Sequence, residues 1–369
     1  MRIIFFIIII LHALIHLLGF IKAFGFAEIN QLTQNISKPI GILWLIALLL
    51  LLAAAIQFIS NHDLWWITAL VAVILSQILI ILFWQDAKFG TIPNIVILLV
   101  AIVAFADWNF NRDVKNEITE MLAQNITDKK EILTEEKISS LPPIVQKWLR
   151  NSGAVGKEMI HTARLKQKGQ MKMKPEQEKW YEANAEQYFT VDNPAFIWKV
   201  KVDMMPLMFF TGRDKFSDGK GNMLIKVLSL LNVVNDSDNE KINQGTLQRY
   251  LGETIWFPTA VVSPYIKWEE IDSLSAKATM TYKGTTGSAV FTFNENGDFV
   301  KFSAMRYMGS EENSPLKEWM ITLNEYKVYN EIKIPVKGEA TWKLDDGDFT
   351  WYKLEIYDVE YNTPIIENN

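Results

Sequence analysis

The sequence predicts two structural classes in one chain: an α-helical membrane bundle of four transmembrane helices, then a mainly antiparallel β domain whose curved, half-barrel-like sheet is packed by one or two helices. Three observations carry this. Hydrophobic residues make up 49% of 369, and they concentrate before residue 107 while the charged ones follow it, so two solvents are implied. Four apolar runs reach or approach the ~20 residues that a helix needs to cross the hydrocarbon core. From about residue 159 the hydrophobic period becomes two and turn signals recur. Residues 1–108 are therefore read as the transmembrane domain, 109–140 as an amphipathic linker and 141–369 as a soluble β-rich domain.

The four spans are Ile3–Phe20, Ile40–Ile59, Leu64–Trp84 and Ile92–Trp108. Trp44, Trp65, Trp66, Trp84 and Trp108 fall near their ends, where indole rings favour the headgroup region. Met1–Arg2 followed by apolar residues is also how a signal peptide starts. No small-x-small cleavage site closes the run before Lys22 and Phe24, so it reads as an anchoring helix. An even number of spans puts both chain ends on one side. Arg2, Arg112 and Lys115 on that side balance Lys22, Lys38 and Lys88 on the other, which leaves orientation open.

The first span carries HALIHLLGF, with His12 and His16 on one helix face at i,i+4. Ionisable groups inside a membrane mark a metal or proton site by default. Ala13 stands where a zincin needs its Glu, and His62 and His161 lie outside the spans, so neither zincin chemistry nor bis-histidine haem is supported. The first reading is polar contact across the bundle to Gln57, Ser76 or Gln77, and the second a transmembrane metal or proton site. QDAKFGTIPN, Gln85 to Asn94, reads as a solvated loop, turned at Gly90 and starting a helix at Pro93.

After Asn109, Ile118, Met121, Leu122 and Ile126 keep a helical spacing, which predicts an amphipathic helix leaving the membrane. LPPIVQKWLRNSG, Leu141 to Gly153, predicts a helix entered through Pro142–Pro143, with Ile144, Val145, Trp148 and Leu149 packed on the following sheet. About ten strands follow. Asp218–Gly219, Asn296–Gly297 and Asp346–Gly347 mark hairpins, so sequence neighbours should be sheet neighbours. One helical interruption, Asn243 to Thr254, is expected to plug one side of the curved sheet.

With no cysteine there is no disulfide, thiolate nucleophile or Cys-based metal site, and a net charge of -5 without a basic stripe argues against nucleic acid. NDSDNE, Asn235 to Glu240, has Lys241 and Leu247 where a calcium loop needs Gly and Glu, and reads as a solvated turn. No nucleotide-binding, acyl-transfer or kinase motif is present, so no cofactor, metal or reaction is assigned. The candidate site is ionic: Arg213 and Asp214 in GRDKFSDGKG, and Arg249 with Glu253 at i,i+4, joined by Arg306 and Glu339 if they converge inside the half-barrel. The alternative for each is a surface ion pair. Trp180, Trp198, Trp256, Trp268, Trp319, Trp342 and Trp351, with Met204, Met205, Met208 and Met223, suit a core and also a bed for an apolar ligand.

LPPIVQKWLRNSG, MFFTGRDKFSDGKGNM and GTLQRYLGETIWFP, in their order from Leu141 to Tyr361, resemble an uncharacterised bacterial membrane-protein family, a domain of unknown function with several N-terminal transmembrane helices. HALIHLLGFIKAF and DAKFGTIPN fit that picture. At fold level the soluble part looks like the lipoprotein-carrier proteins, whose curved sheet holds acyl chains. The resemblance implies a multi-pass protein of the bacterial inner membrane and leans towards an extracytoplasmic β domain, whereas the Arg2-bearing tail favours the cytoplasm. It transfers no catalytic residues. The function expected is a membrane-anchored protein holding a lipid or other lipophilic molecule. The alternatives are an enzyme using the Arg/Asp/Glu cluster on an anionic substrate, or a histidine site in the bundle.

Overall fold

The computed structural model describes residues 1–125, 130–237 and 239–363. It divides into two compact units, Met1–Arg112 with Leu228–Leu230, and Asp113–Val227 with Leu231–Asn369.

The first unit is built from α1 (Arg2–Phe24), α2 (Lys38–Ile59), α3 (Trp65–Leu82), the short α4 (Trp84–Ala87), a 3-10 turn and the beginning of α5 (Thr91–Ala123). The stretches Arg2–Phe24, Lys38–Ile59, Trp65–Leu82 and Trp84–Ala123 are long and apolar enough to cross a membrane. Small residues line their contacts: Ala13, Ala47, Ala54, Ala55, Ala69, Ala72 and Ala101 are fully buried, as helices need for close approach in lipid. Large apolar side chains such as Leu11, Leu49, Ile74 and Leu99 face outward. Trp44 is not at a rim. It is buried at 3% exposure, because a Cβ on Gly19 would fall 2.4 Å from its ring: the glycine makes room for an inward indole.

Three expectations change here. The amphipathic helix after Asn109 is no separate element; α5 continues without a break to Ala123, burying Val114, Ile118, Met121 and Leu122, while Ile126 lies outside the described residues. QDAKFGTIPN is a helical corner rather than a loop, with Gln85, Lys88, Phe89 and Ile92 exposed and Asn94 buried. Asp86 there accepts bonds from Thr33 N, Thr33 Oγ1 and Gln34 N at 2.7, 2.7 and 3.0 Å. Asn235–Ser237 closes a strand instead of forming a turn, Asn239 caps the next helix through Lys241 N, and Asp238 lies outside the described residues.

The second unit opens with α6 (Glu135–Ile138) and α7 (Pro143–Asn151), which buries Ile144, Val145, Trp148 and Leu149 as its pattern predicts. Then come β1 (Thr162–Met171), β2 (Tyr181–Thr190), β3 (Ala195–Met205), β4 (Met208–Ser217), β5 (Lys220–Val227) and β6 (Leu231–Ser237). After α8 (Glu240–Glu253) and two 3-10 segments follow β7 (Ile266–Asp272), β8 (Ser275–Tyr282), β9 (Thr285–Phe293), β10 (Phe299–Tyr307), β11 (Leu316–Tyr329), β12 (Ile332–Leu344) and β13 (Gly347–Tyr361). The strands are thirteen rather than about ten, all antiparallel, in the order β6-β5-β4-β3-β2-β1-β13-β12-β11-β10-β9-β8-β7. Two meanders thus meet at the β1–β13 seam, and the three predicted hairpins fall at β4–β5, β9–β10 and β12–β13. Asp218 and Gly219, at φ 52 and 76, have the left-handed pair that a two-residue hairpin requires.

A sheet of this width must curl. α8 packs against β4 and β5 in one arm and β8, β9 and β10 in the other, which a single helix does only from inside the curve. Tyr250, Trp256 and Phe257 fill the concavity against Phe189, Phe216 and Phe302. The hollow is therefore packed along α8, not an open tunnel for acyl chains.

Candidate functional site

Alternation sorts the strand residues. Asp214 of β4, Gln187 of β2 and Gln167 of β1 stand at inward positions and are 3%, 0% and 2% exposed, and α8 brings Arg249 and Glu253 over them. Arg249 bridges two carboxylates: its Nε donates to Glu253 Oε1 at 2.9 Å and its NH1 to Asp214 Oδ2 at 2.6 Å. Glu253 Oε2 accepts from Gln187 Nε2 at 2.7 Å, and Gln187 Oε1 accepts from Gln167 Nε2 at 3.2 Å. Gln167 Oε1 in turn accepts from Trp198 Nε1 and Tyr352 OH, both at 3.2 Å. The Arg249 guanidinium also lies over Trp198 and Phe196, 4.7 and 5.1 Å from their centroids. One polar chain ties the helix to the strands on either side of the β1–β13 seam.

Of the predicted residues, Asp214, Arg249 and Glu253 come together directly. Arg306 joins them electrostatically but not by contact: it stacks over Trp319 at 4.6 Å and lies against Gly245 of α8, and among the described residues it has no hydrogen bond or ion pair. Arg213 belongs elsewhere. One residue from Asp214 on a strand, it points to the opposite face, where its Nε is 3.1 Å from Glu117 Oε2 and its NH1 donates to Asn222 O. Glu339 also faces outward and pairs with Lys353 at 3.1 Å.

The charges explain the contrast between the arginines. Burial works against the charge of Arg249, but Glu253 and Asp214 outweigh it and hold its pKa above the ordinary value. Burial also acts on Arg306; Asp214 and Glu253 favour its charge, Arg249 opposes it, and the balance brings it down to about 10. Glu253 is pushed up by burial against the pull of Arg249 and Gln187. Asp214 Oδ1 is buried without a hydrogen-bond partner.

Sequence reasoning missed Gln167, Gln187 and Tyr352. The signal was present: in TARLKQKGQM and YEANAEQYFT each glutamine takes a core position of the period-two pattern, among Ala163, Leu165, Ala183 and Ala185. A second polar feature lies at β9–β10, which pair only as far as Val290 and Ser303. Beyond that point Gln248 Nε2 caps Ser288 O and Met305 O at 3.2 and 3.0 Å, under a cleft of about 530 Å³ walled by Lys277, Tyr307 and Glu318.

In the helical unit, His12 and His16 of α1 meet Ser76 of α3 and Asn94 of α5. His12 Nε2 donates to Asn94 Oδ1 at 2.8 Å, His16 Nδ1 donates to His12 O at 2.9 Å, and His16 Nε2 accepts from Ser76 Oγ at 2.8 Å. Asn94 Nδ2 donates to Ser76 Oγ and Gln77 Oε1, at 2.9 and 3.1 Å. Gln57 takes no part: it sits near the C-terminal end of α2, where Arg2 caps the carbonyls of Phe58 and Ile59, well along α1 from His12, and its Oε1 has no partner. Asn94, the residue after Pro93, was the partner the loop reading concealed. Among the described residues no three His, Asp or Glu gather to hold a metal ion.

Residues 131–354, more than half of the chain, match the model of one protein family. The chain belongs to DUF6544, a family of unknown function. The matched DUF6544 segment holds the whole network from Gln167 to Tyr352, together with Arg306, and excludes the histidine cluster of α1. No curated protein matches the chain. Among solved structures it is similar to the LolA superfamily protein NE2245 from Nitrosomonas europaea, with 10% identity and a TM-score of 0.33, over 58% of this chain and 92% of that one.

Proposed function

We propose that this DUF6544 protein is a membrane-anchored binding protein whose β domain takes an anionic amphiphile, with the headgroup on Arg306 and the apolar part against the aromatic concave wall. One observation carries the reading: of two arginines at the concave face, Arg249 on α8 is neutralised by Asp214 and Glu253, while Arg306 on β10, against α8, has no carboxylate in contact. Arg306 is half-buried rather than sealed, and among the described residues its guanidinium has no hydrogen bond or ion pair, so it is open to a ligand that supplies the counter-charge. The planar guanidinium fork suits carboxylate or phosphate, and Trp319 beneath it, with Trp342 at 6.5 Å, offers a flat apolar bed. Because α8 fills the curve, the ligand rests at its edge rather than being swallowed whole. Four apolar helical stretches supply the anchor.

Native mass spectrometry of the full chain purified in detergent, followed by extraction, tests this. A stoichiometric anionic lipid that disappears in Arg306→Met is the expected result. Equal retention by the variant, or retention of neutral lipids alone, refutes the reading.

A further inference from the structure

The β3–β4 hairpin ends in Met204-Met205-Pro206-Leu207-Met208, and Met205, Leu207 and Met208 are 59%, 67% and 41% exposed. In the neighbouring β5–β6 hairpin, Leu230 of the turn and Leu231 and Val233 at the start of β6 are 46%, 65% and 58% exposed. Register places both tips at one end of the sheet: Val202 pairs with Phe210, Phe210 with Val227, and Val227 with Leu231. A contiguous apolar patch of this kind marks a surface that something else covers.

The backbone gives an independent indication. Leu207 has φ 69 and Leu228 φ 52, left-handed positions that glycine or asparagine takes at least cost. At Leu207 this strained position carries a side chain that is 67% exposed. The Leu228–Leu230 turn groups with the helical unit, and its Ser229 Oγ donates to Asp107 Oδ1 at 2.7 Å, one residue before Trp108 at the end of the fourth apolar run.

We infer that the two tips enter the headgroup–acyl boundary of the bilayer that holds the helices, forming a second membrane contact that limits how the β domain moves over the surface. Met and Leu supply the buried area, and Lys201 beside them stacks over Phe209 at 3.9 Å. The inference rests on the anchoring part of the proposed function and not on the ligand.

The chain has no cysteine, so single labels are simple to place. Leu207→Cys is spin-labelled in the full chain, in nanodiscs of phosphatidylcholine and phosphatidylglycerol, and compared with Leu49→Cys on the outer face of α2 and Asp218→Cys at the far end of β4. Collision with oxygen and with a water-soluble nickel chelate is measured at each. The expected result is oxygen-dominated collision at positions 207 and 49 and nickel-dominated collision at 218. A nickel-dominated label at 207 beside an oxygen-dominated one at 49 overturns the docking and leaves the anchor standing. Nickel-dominated labels at both overturn docking and anchor together.

Discussion

The two buried polar clusters of this protein are built on opposite terms. In the helical unit, His12, His16, Ser76, Asn94 and Gln77 exchange neutral hydrogen bonds, and the arrangement closes on itself except at His12 Nδ1. In the β domain, Asp214, Arg249, Glu253 and Arg306 are ionisable groups, and only one of the two arginines is compensated by contact. Neutral contacts inside a bundle fix helix pairing at modest energy. Charges taken from water are costly unless paired, and of the two arginines the half-buried Arg306 is the one without an ion pair among the described residues. That contrast is the basis for proposing the ligand site at Arg306 and not at the histidines.

Four changes break or sharpen that contrast. The largest effect is expected from Arg249→Met, which strands the buried carboxylates of Asp214 and Glu253 and should cost about 3–5 kcal/mol in denaturant unfolding of the full chain. Arg306→Met should do the reverse and raise stability by about 2 kcal/mol, since its burial is not offset by contact and only the stacking on Trp319 is removed. The sign follows from linkage. The fold lowers the Arg306 pKa to about 10, so stability rises as pH climbs from there to the ordinary arginine value, and at neutral pH the whole penalty is present. If both variants lose stability alike, the arginines are equivalent and the functional assignment fails.

Glu253→Gln should matter less. Because the folded pKa of Glu253 is raised, the native state holds the extra proton in the window above the ordinary carboxylate range, and wild-type stability falls as pH rises through it. The variant, fixed in the neutral form, should be the more stable at neutral pH, with the margin vanishing towards acid; a margin independent of pH refutes the assignment. Smallest is Asn94→Leu, which removes the hydrogen bonds to His12, Ser76 and Gln77 at about 0.6 kcal/mol apiece, read from thermal unfolding in detergent. A destabilisation as large as that of Arg249→Met would mean that the helical cluster does more than pair helices.

Parts of this were legible in advance. The i,i+4 pair Arg249 and Glu253 could be read from helical spacing, and the opposed faces of Arg213 and Asp214 follow from strand alternation, although grouping them as neighbours in GRDKFSDGKG obscured it. Gln167 and Gln187 were visible as polar residues in core positions. Asn94 was hidden because Pro93 and Gly90 are turn signals, and such signals say nothing of whether the corner they make is wet or buried.

By itself the sequence determined the local order: four apolar stretches, the change of period, the hairpins at Asp218–Gly219, Asn296–Gly297 and Asp346–Gly347, and the helix that carries Arg249. These depend on periodicity and turn chemistry, which act over a few residues. Only the tertiary structure decided that β1 pairs with β13, that α8 lies inside the curve, and that Arg249 finds two carboxylates while Arg306 finds none. Those outcomes join residues up to about two hundred positions apart, and which charge is left uncompensated depends on distances that no local pattern encodes.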